Sequence, residues 1–221
     1  MTIPPAATLE AICAGAAAPL CGDPAGRSGI HKHALAGPVR IGPRGVEGDR
    51  QVNRRYHGFP AMALHHYPRD HYPWLGERFD HPAPLAAAGG MGENLSTHGL
   101  REDDVCIGAR FRLGTALIEV TQPRQPCATI EKHLQRKGVV KAIVESGRCG
   151  WFYRVLEPGM AEAGCLLDPV EEGHAEWSVR RAFMAVYGGK AGSADELRDL
   201  DSLARVSDRL RGDIARRLGV R

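Results

Sequence analysis

The segment Phe111-Arg112-Leu113-Gly114-Thr115-Ala116-Leu117-Ile118-Glu119-Val120 reads as two β-strands joined at Gly114. It runs directly into Thr121-Gln122-Pro123-Arg124-Gln125-Pro126-Cys127, which leaves the end of the second strand as a loop. The two prolines stiffen that loop. Each fixes its own φ and biases the residue before it toward extended geometry, so Cys127 is delivered on a backbone with few alternatives. A thiol held this way suits a metal ligand or a nucleophile, and Arg124 close by would favour the thiolate that either role requires. The competing reading is a small buried cysteine after a turn.

Working outward, Val105-Cys106-Ile107-Gly108 leads into the two strands, and Gly150-Trp151-Phe152-Tyr153-Arg154-Val155-Leu156 alternates and carries aromatics as a strand should. Gly164 to Val170 reads as a last strand, Gly37 to Ile41 as an early one, and Thr8 to Ala14 as a short strand or a helical turn. Glycines are dense at Gly22 to Gly29, Gly45 to Gly48 and Gly89 to Gly92, where tight turns let backbone approach a ligand closely. Leu64 to Leu75 reads as a helix with an early proline in its first turn, and Ala128 to Ser146 as helical. Strands separated by glycine turns, with a few inserted helices, predict a mainly β, α+β chain with a barrel-like core.

The character changes after Trp177. Residues 178–221 hold ten Lys/Arg against six Asp/Glu, a balance of +4. Leu197, Leu200, Leu203, Val206, Leu210, Ile214 and Leu218 recur at helical spacing, with breaks at Gly188-Gly189 and Ser207-Asp208. The expectation is a core domain over 1–176 and a small three-helix domain over 177–221. Such a basic helical tail either binds a partner or is a solvated face.

Of the 221 residues 43% are hydrophobic and 25% charged, as in an ordinary globular protein. The net charge is +3 and the basic residues are scattered, which does not imply nucleic acid. No apolar run is long enough to cross a bilayer, and the alanine-rich start lacks the positive region of a secretory signal, which predicts a cytoplasmic protein. The six cysteines form no CxxC pair, which argues against disulfides, a zinc ribbon or a built-in iron–sulfur cluster. Any electrons needed must then come from elsewhere.

Asp49 and Arg50 sit at the tip of a glycine turn, where they could also simply pair with each other. His57, His65, His66 and His71 lack convergent ligand spacing and read as partly buried aromatics rather than a zinc set. Glu93 and Asn94, on a further glycine turn, could orient a polar ligand, although asparagine also stabilises turns of its own.

Taken together, Ser28-Gly29-Ile30-His31-Lys32, Gly48-Asp49-Arg50-Gln51, Tyr56-His57-Gly58, Gly92-Glu93-Asn94-Leu95-Ser96-Thr97, Gln122-Pro123-Arg124-Gln125-Pro126-Cys127 and Gly150-Trp151-Phe152-Tyr153-Arg154-Val155 resemble the MOSC family, the molybdenum cofactor sulfurase C-terminal domain, and more closely its members with a C-terminal three-helix domain. The resemblance implies a β-barrel core with peripheral helices and a molybdenum–pterin cofactor whose metal is held by Cys127. A thiolate suits such a soft metal. By position in the family pattern, Lys32 and Arg50 hold the cofactor phosphate, Asn94 and Gln125 are polar lining, with Glu93 and Arg124 beside them, and Asp49 and His57 pass protons or orient the pterin. One departure stands out: the family continues His-Gly-Gly, and this chain has His57-Gly58-Phe59, a residue that takes positive φ less cheaply than glycine.

The activity so implied is reduction of N-hydroxylated compounds, such as hydroxylaminopurines, hydroxylamines or amidoximes, with a separate flavin or iron–sulfur reductase as electron donor. Two other classes remain open. Cys127 could carry a persulfide in metal–sulfur cofactor maturation, or act as a metal-free nucleophile with His57 or His133 as base. Oligomerisation is possible.

Overall fold

The structure is a computed structural model and describes residues 3–20, 23–52, 58–190 and 192–220. In chain order the strands are β1 (Ala7–Ala14), β2 (Ala18–Leu20), β3 (Asp23–Ser28), β4 (His33–Ala34), β5 (Val39–Gly42), β6 (Gly45–Val46), β7 (Leu64–Pro68), β8 (Leu95–Thr97), β9 (Arg110–Leu113), β10 (Ala116–Pro123), β11 (Trp151–Glu157), β12 (Gly159–Ala161) and β13 (Leu166–Glu171). The helices are α1 (Tyr72–Arg78), α2 (Ala128–Leu134), α3 (Val139–Ser146), α4 (Val179–Tyr187), α5 (Ala194–Ser202) and α6 (Asp208–Leu218).

The hairpin expected around Gly114 forms as β9 and β10. Gly114 has φ +58°, and a Cβ there would lie 2.2 Å from the Met160 carbonyl oxygen, so this turn needs glycine twice over. β10 continues further than the sequence suggests. It stays paired with β11 as far as Pro123 opposite Trp151, and the loop begins only at Arg124. Proline is tolerated there because it stands at the end of the strand.

Seven strands in the order β13-β9-β10-β11-β7-β8-β1 form a barrel that closes through the β13–β1 pairing. Closure leaves these strands without an open edge. Neighbours are antiparallel except β7 and β8, which run parallel. The interior is filled by Phe111, Ile118, Val120, Trp151, Tyr153 and Leu167, all fully buried. β4 extends β1, and two small sheets, β12-β5-β6 and β2-β3, lie beside the barrel.

Leu64 to Leu75 is not one helix. Its first five residues are β7, all buried, so both faces of the strand are covered and no period-2 pattern shows in the sequence. Arg69–His71 form a 3₁₀ turn, and the proline in the first turn of α1 is Pro73. His66 and Asp70 therefore share no helix face. The span 128–146 is likewise two helices, broken where Gln135 and Gly138 take φ of +53° and +87°.

The three C-terminal helices start where serine can cap them. Ser178, Ser193 and Ser207 accept from the backbone N–H of Arg181, Glu196 and Leu210, and Glu196 completes a capping box with Ser193. Each such cap contributes about 1 kcal/mol. Phe183, Leu200, Leu210 and Ile214 join the same continuous core as the barrel residues. Ser207 Oγ donates to Gln122 Oε1 at 2.5 Å, so α6 is fastened to the end of β10.

A buried ion cluster adds a second fastening. Glu119 on β10 is met by Arg110 at 2.8 Å, Arg154 at 3.2 Å and Arg205 at 3.5 Å, and Arg205 also reaches Glu171 at 2.6 Å. None of the described helices is long and apolar enough to cross a membrane.

Candidate functional site

The glycine turns and the loop after β10 meet at one end of the barrel, around a cavity of about 230 Å³. Close backbone packing builds its wall. A Cβ on Gly29 would lie 1.9 Å from the Arg50 carbonyl oxygen, so only glycine lets these two turns touch.

Asn94 and Asp49 hold this end together. The Asn94 side chain accepts from His65 N–H at 3.0 Å and donates to the Cys13 carbonyl at 3.0 Å and to Asp49 Oδ2 at 2.9 Å. Asp49 also accepts from Gly15 N–H at 3.0 Å and from Lys32 Nζ at 2.6 Å, in a nearly buried ion pair. The acid at this turn is thus committed to Lys32 and not to its neighbour Arg50. Its two oxygens carry three donors, which makes it the anchor of Lys32 and Asn94.

Four cations, Arg27, Lys32, Arg50 and Arg124, line the cavity, and no carboxylate does among the described residues. Ile30, Met62, Met91 and Phe152 supply apolar wall. Cys127 stands at the rim on extended backbone, φ −132°, immediately before α2, with an exposed side chain. The competing picture of a small buried cysteine therefore does not describe it; that picture fits Cys13, which is fully buried and whose thiol is pushed up to about 12 by burial and by Glu93.

Arg124 is buried, its backbone N–H donates to the Gly150 carbonyl at 3.0 Å, and its Nη1 has no hydrogen-bond partner. Among the described residues this guanidinium has no carboxylate partner, and burying one without a counter-charge is costly. His65, also lining the cavity, is held well below the ordinary histidine range by burial and then by Arg124. It is therefore neutral, and its Nδ1 donates to the Gly92 carbonyl at 3.2 Å. Nothing local in the sequence points to this role, because a histidine on a fully buried strand carries no pattern of its own.

Two predicted residues face elsewhere. Glu93 is fully buried and accepts from Tyr72 O–H at 2.5 Å, Gly89 N–H at 2.7 Å and Met91 N–H at 3.0 Å, so it braces its own turn instead of lining the cavity. Burial raises its pKa. Gln125 turns to the outer side of the loop, where Arg209 donates to its Oε1 at 3.1 Å. His57 lies outside the described residues. Of the other histidines, His66 bonds Tyr153 and Thr97, and His71 bonds Glu102, all inside the protein. Phe59 has φ −88°, ordinary extended backbone, so the glycine missing at that position leaves no strain.

The description of the MOSC domain matches residues 53–171. The chain is 41% identical over 143 residues to Protein YiiM of Escherichia coli K12, an alignment covering 65% of this chain and 64% of that protein. It is 38% identical over 155 residues to YflK of Bacillus subtilis, covering 70% and 69%. A protein of Gibberella moniliformis named a reductase is 36% identical over 154 residues, which span 69% of this chain but only 27% of that one. The crystal structure of YiiM from Geobacillus stearothermophilus superposes with a TM-score of 0.80 at 30% identity, covering 97% of this chain and all of that one. By sequence motifs, barrel topology and these likenesses, the chain belongs to the MOSC domain family, as a YiiM-like member.

Proposed function

We propose that the protein is a molybdenum–pterin-dependent reductase of N-hydroxylated compounds, converting R–NHOH with two electrons and two protons to R–NH₂ and water. The observation that carries this reading is an exposed thiol at the rim of a cavity that, among the described residues, is lined by four cations and no carboxylate, with the Nη1 of one buried guanidinium lacking a partner there. That donor set fits a cofactor that joins a soft metal to a phosphate-bearing pterin.

When bound, the cofactor supplies a two-electron redox centre. Cys127 would hold the metal, while Lys32, Arg50 and Arg27 would hold the phosphate. Asp49 keeps Lys32 extended toward the cavity, and Arg124 offers Nη1 to an anionic edge of the ligand. Met62 and Phe152 exclude water from the same space. In this reading the leaving oxygen takes its proton from His57, and Asp49 serves as an anchor. The electrons come from a separate flavin or iron–sulfur protein. The fungal relative supports such a division, because its MOSC-like stretch takes up 27% of a longer chain named a reductase.

The test is metal content in protein from a host that makes the pterin cofactor, beside Cys127→Ala. Near-stoichiometric molybdenum, lost in the variant together with benzamidoxime reduction driven by a small-molecule reductant, is the expected result. Wild-type protein without molybdenum but with an extra sulfur on Cys127 would replace this reading by a persulfide carrier.

A further inference from the structure

A second, larger hollow of about 480 Å³ lies on the outer side of the Cys127 loop. Val144 of α3 and Val186 of α4 form its apolar floor, Gln125 and Pro126 its wall, and Arg216 and Arg217 of α6 its rim. The two hollows share one stretch of chain, for Gln125-Pro126 faces this one and Cys127 faces the first.

The described lining carries a small positive excess, two arginines against one acid. Asp213 is the one acid lining the groove among the described residues, and it is already engaged by Tyr187 O–H, Arg209 and Arg216. The position is also fixed relative to the site. Arg209 holds Gln125 and Ser207 holds Gln122, so two hydrogen bonds tie α6 and its N-cap to the chain on either side of Arg124.

We propose that this groove docks the acidic, apolar-centred face of an electron-transfer protein, which delivers electrons across the Gln125-Pro126 wall to the site at Cys127. The proposal rests on the reductase reading above. A basic rim around an apolar floor is complementary to such a face, and steering by charge suits a transient redox encounter. With a one-electron donor, two reduced carriers are oxidised for each N–O bond broken, and two protons are taken up, one at the nitrogen and one by the departing hydroxyl, which leaves as water.

The probe is a plant-type [2Fe–2S] ferredoxin, an acidic one-electron carrier, titrated against the cofactor-loaded protein by calorimetry at about 20 mM and about 300 mM salt. We expect binding that weakens with salt, and a Kd raised about tenfold or more in Arg216→Glu/Arg217→Glu. Arg44→Glu, outside the groove, leaves Kd unchanged. Turnover driven by ferredoxin falls in the double variant, while turnover driven by dithionite does not. Arg216→Glu alone, at a side chain that is 66% exposed, keeps the test if the double variant does not fold. No binding, a Kd indifferent to both reversals, or a dimer of this chain that Arg216→Glu disperses would each overturn the proposal. If the molybdenum reading fails instead, both turnovers are absent and the binding data still decide the surface.

Discussion

Glu119 and Arg124 lie on one short run of chain, both are buried, and their charges are met in opposite ways. Glu119 has three guanidiniums within ion-pair distance, on β9, on β11 and on the segment before α6. Arg124, just past the end of the same strand, has no carboxylate partner among the described residues and leaves Nη1 unbonded. A saturated buried charge holds elements together. An unsaturated one costs stability in the free protein and is kept where a ligand completes it. The boundary between scaffold and site thus falls between Pro123, the last paired residue of β10, and Arg124.

Substitutions can break or sharpen that contrast. The largest effect is expected at Glu119→Ala, which removes a buried carboxylate from three part-exposed arginines, of which Arg110 and Arg205 keep Glu171, and should cost about 3 kcal/mol in urea unfolding. A loss under about 1 kcal/mol would deny Glu119 its fastening role. Asp49→Asn should cost less, about 1.5–3 kcal/mol, because the amide still offers Lys32 one acceptor oxygen. Combining it with Lys32→Met should cost less than the sum of the two single changes; simple additivity in denaturation would show the pair to be uncoupled.

A weaker effect should come from pH. His133, packed edge-on to His31 with ring centroids 4.7 Å apart, is lowered from 6.5 to about 4 by burial and then by the His31 charge. The unfolded chain binds a proton there first, so stability is full above 6.5 and falls as pH drops toward about 4. At about pH 5.5 the penalty is about 1.4 kcal/mol, and His133→Gln should flatten that part of the stability profile. A profile equally steep in the variant would assign the acid sensitivity to other groups. The least cost in stability belongs to Arg124→Met, expected at about zero or a gain of up to about 2 kcal/mol in ligand-free protein. Its pterin content should nonetheless drop, and a destabilised variant with full cofactor loading would reverse the contrast.

What the sequence made legible follows the range of the interactions involved. The β9–β10 hairpin, the three C-terminal helices and the presentation of Cys127 rest on local signals: a glycine at a turn, serines at helix starts, prolines in a loop. β7 looks helical in sequence because its five buried residues show no alternation. Glu93 and Gln125 have the chemistry of ligand-binding residues, but their partners decide their roles. Tyr72 lies 21 residues from Glu93, and Arg209 lies 84 from Gln125. Arg124 was picked out for its charge next to a thiol, whereas its lack of a partner is visible only once the chain is folded. His65 reads as a partly buried aromatic in the sequence and is buried in the fold, but its place in the cavity wall is visible only there.

The barrel's closure has a consequence for how the molecule breathes. The β10–β11 ladder that carries the cysteine loop registers six residue pairs, while the seam between β1 and β13 registers two, Ala7 with Leu167 and Thr8 with Leu166. Backbone bonds of Leu9 with Cys165 and Gly164 add little more. Local opening starts where fewest bonds must break, so amide protons along this seam should exchange with solvent well before those of β10 and β11. The barrel can part at its seam and close again while the wall behind Cys127 stays shut.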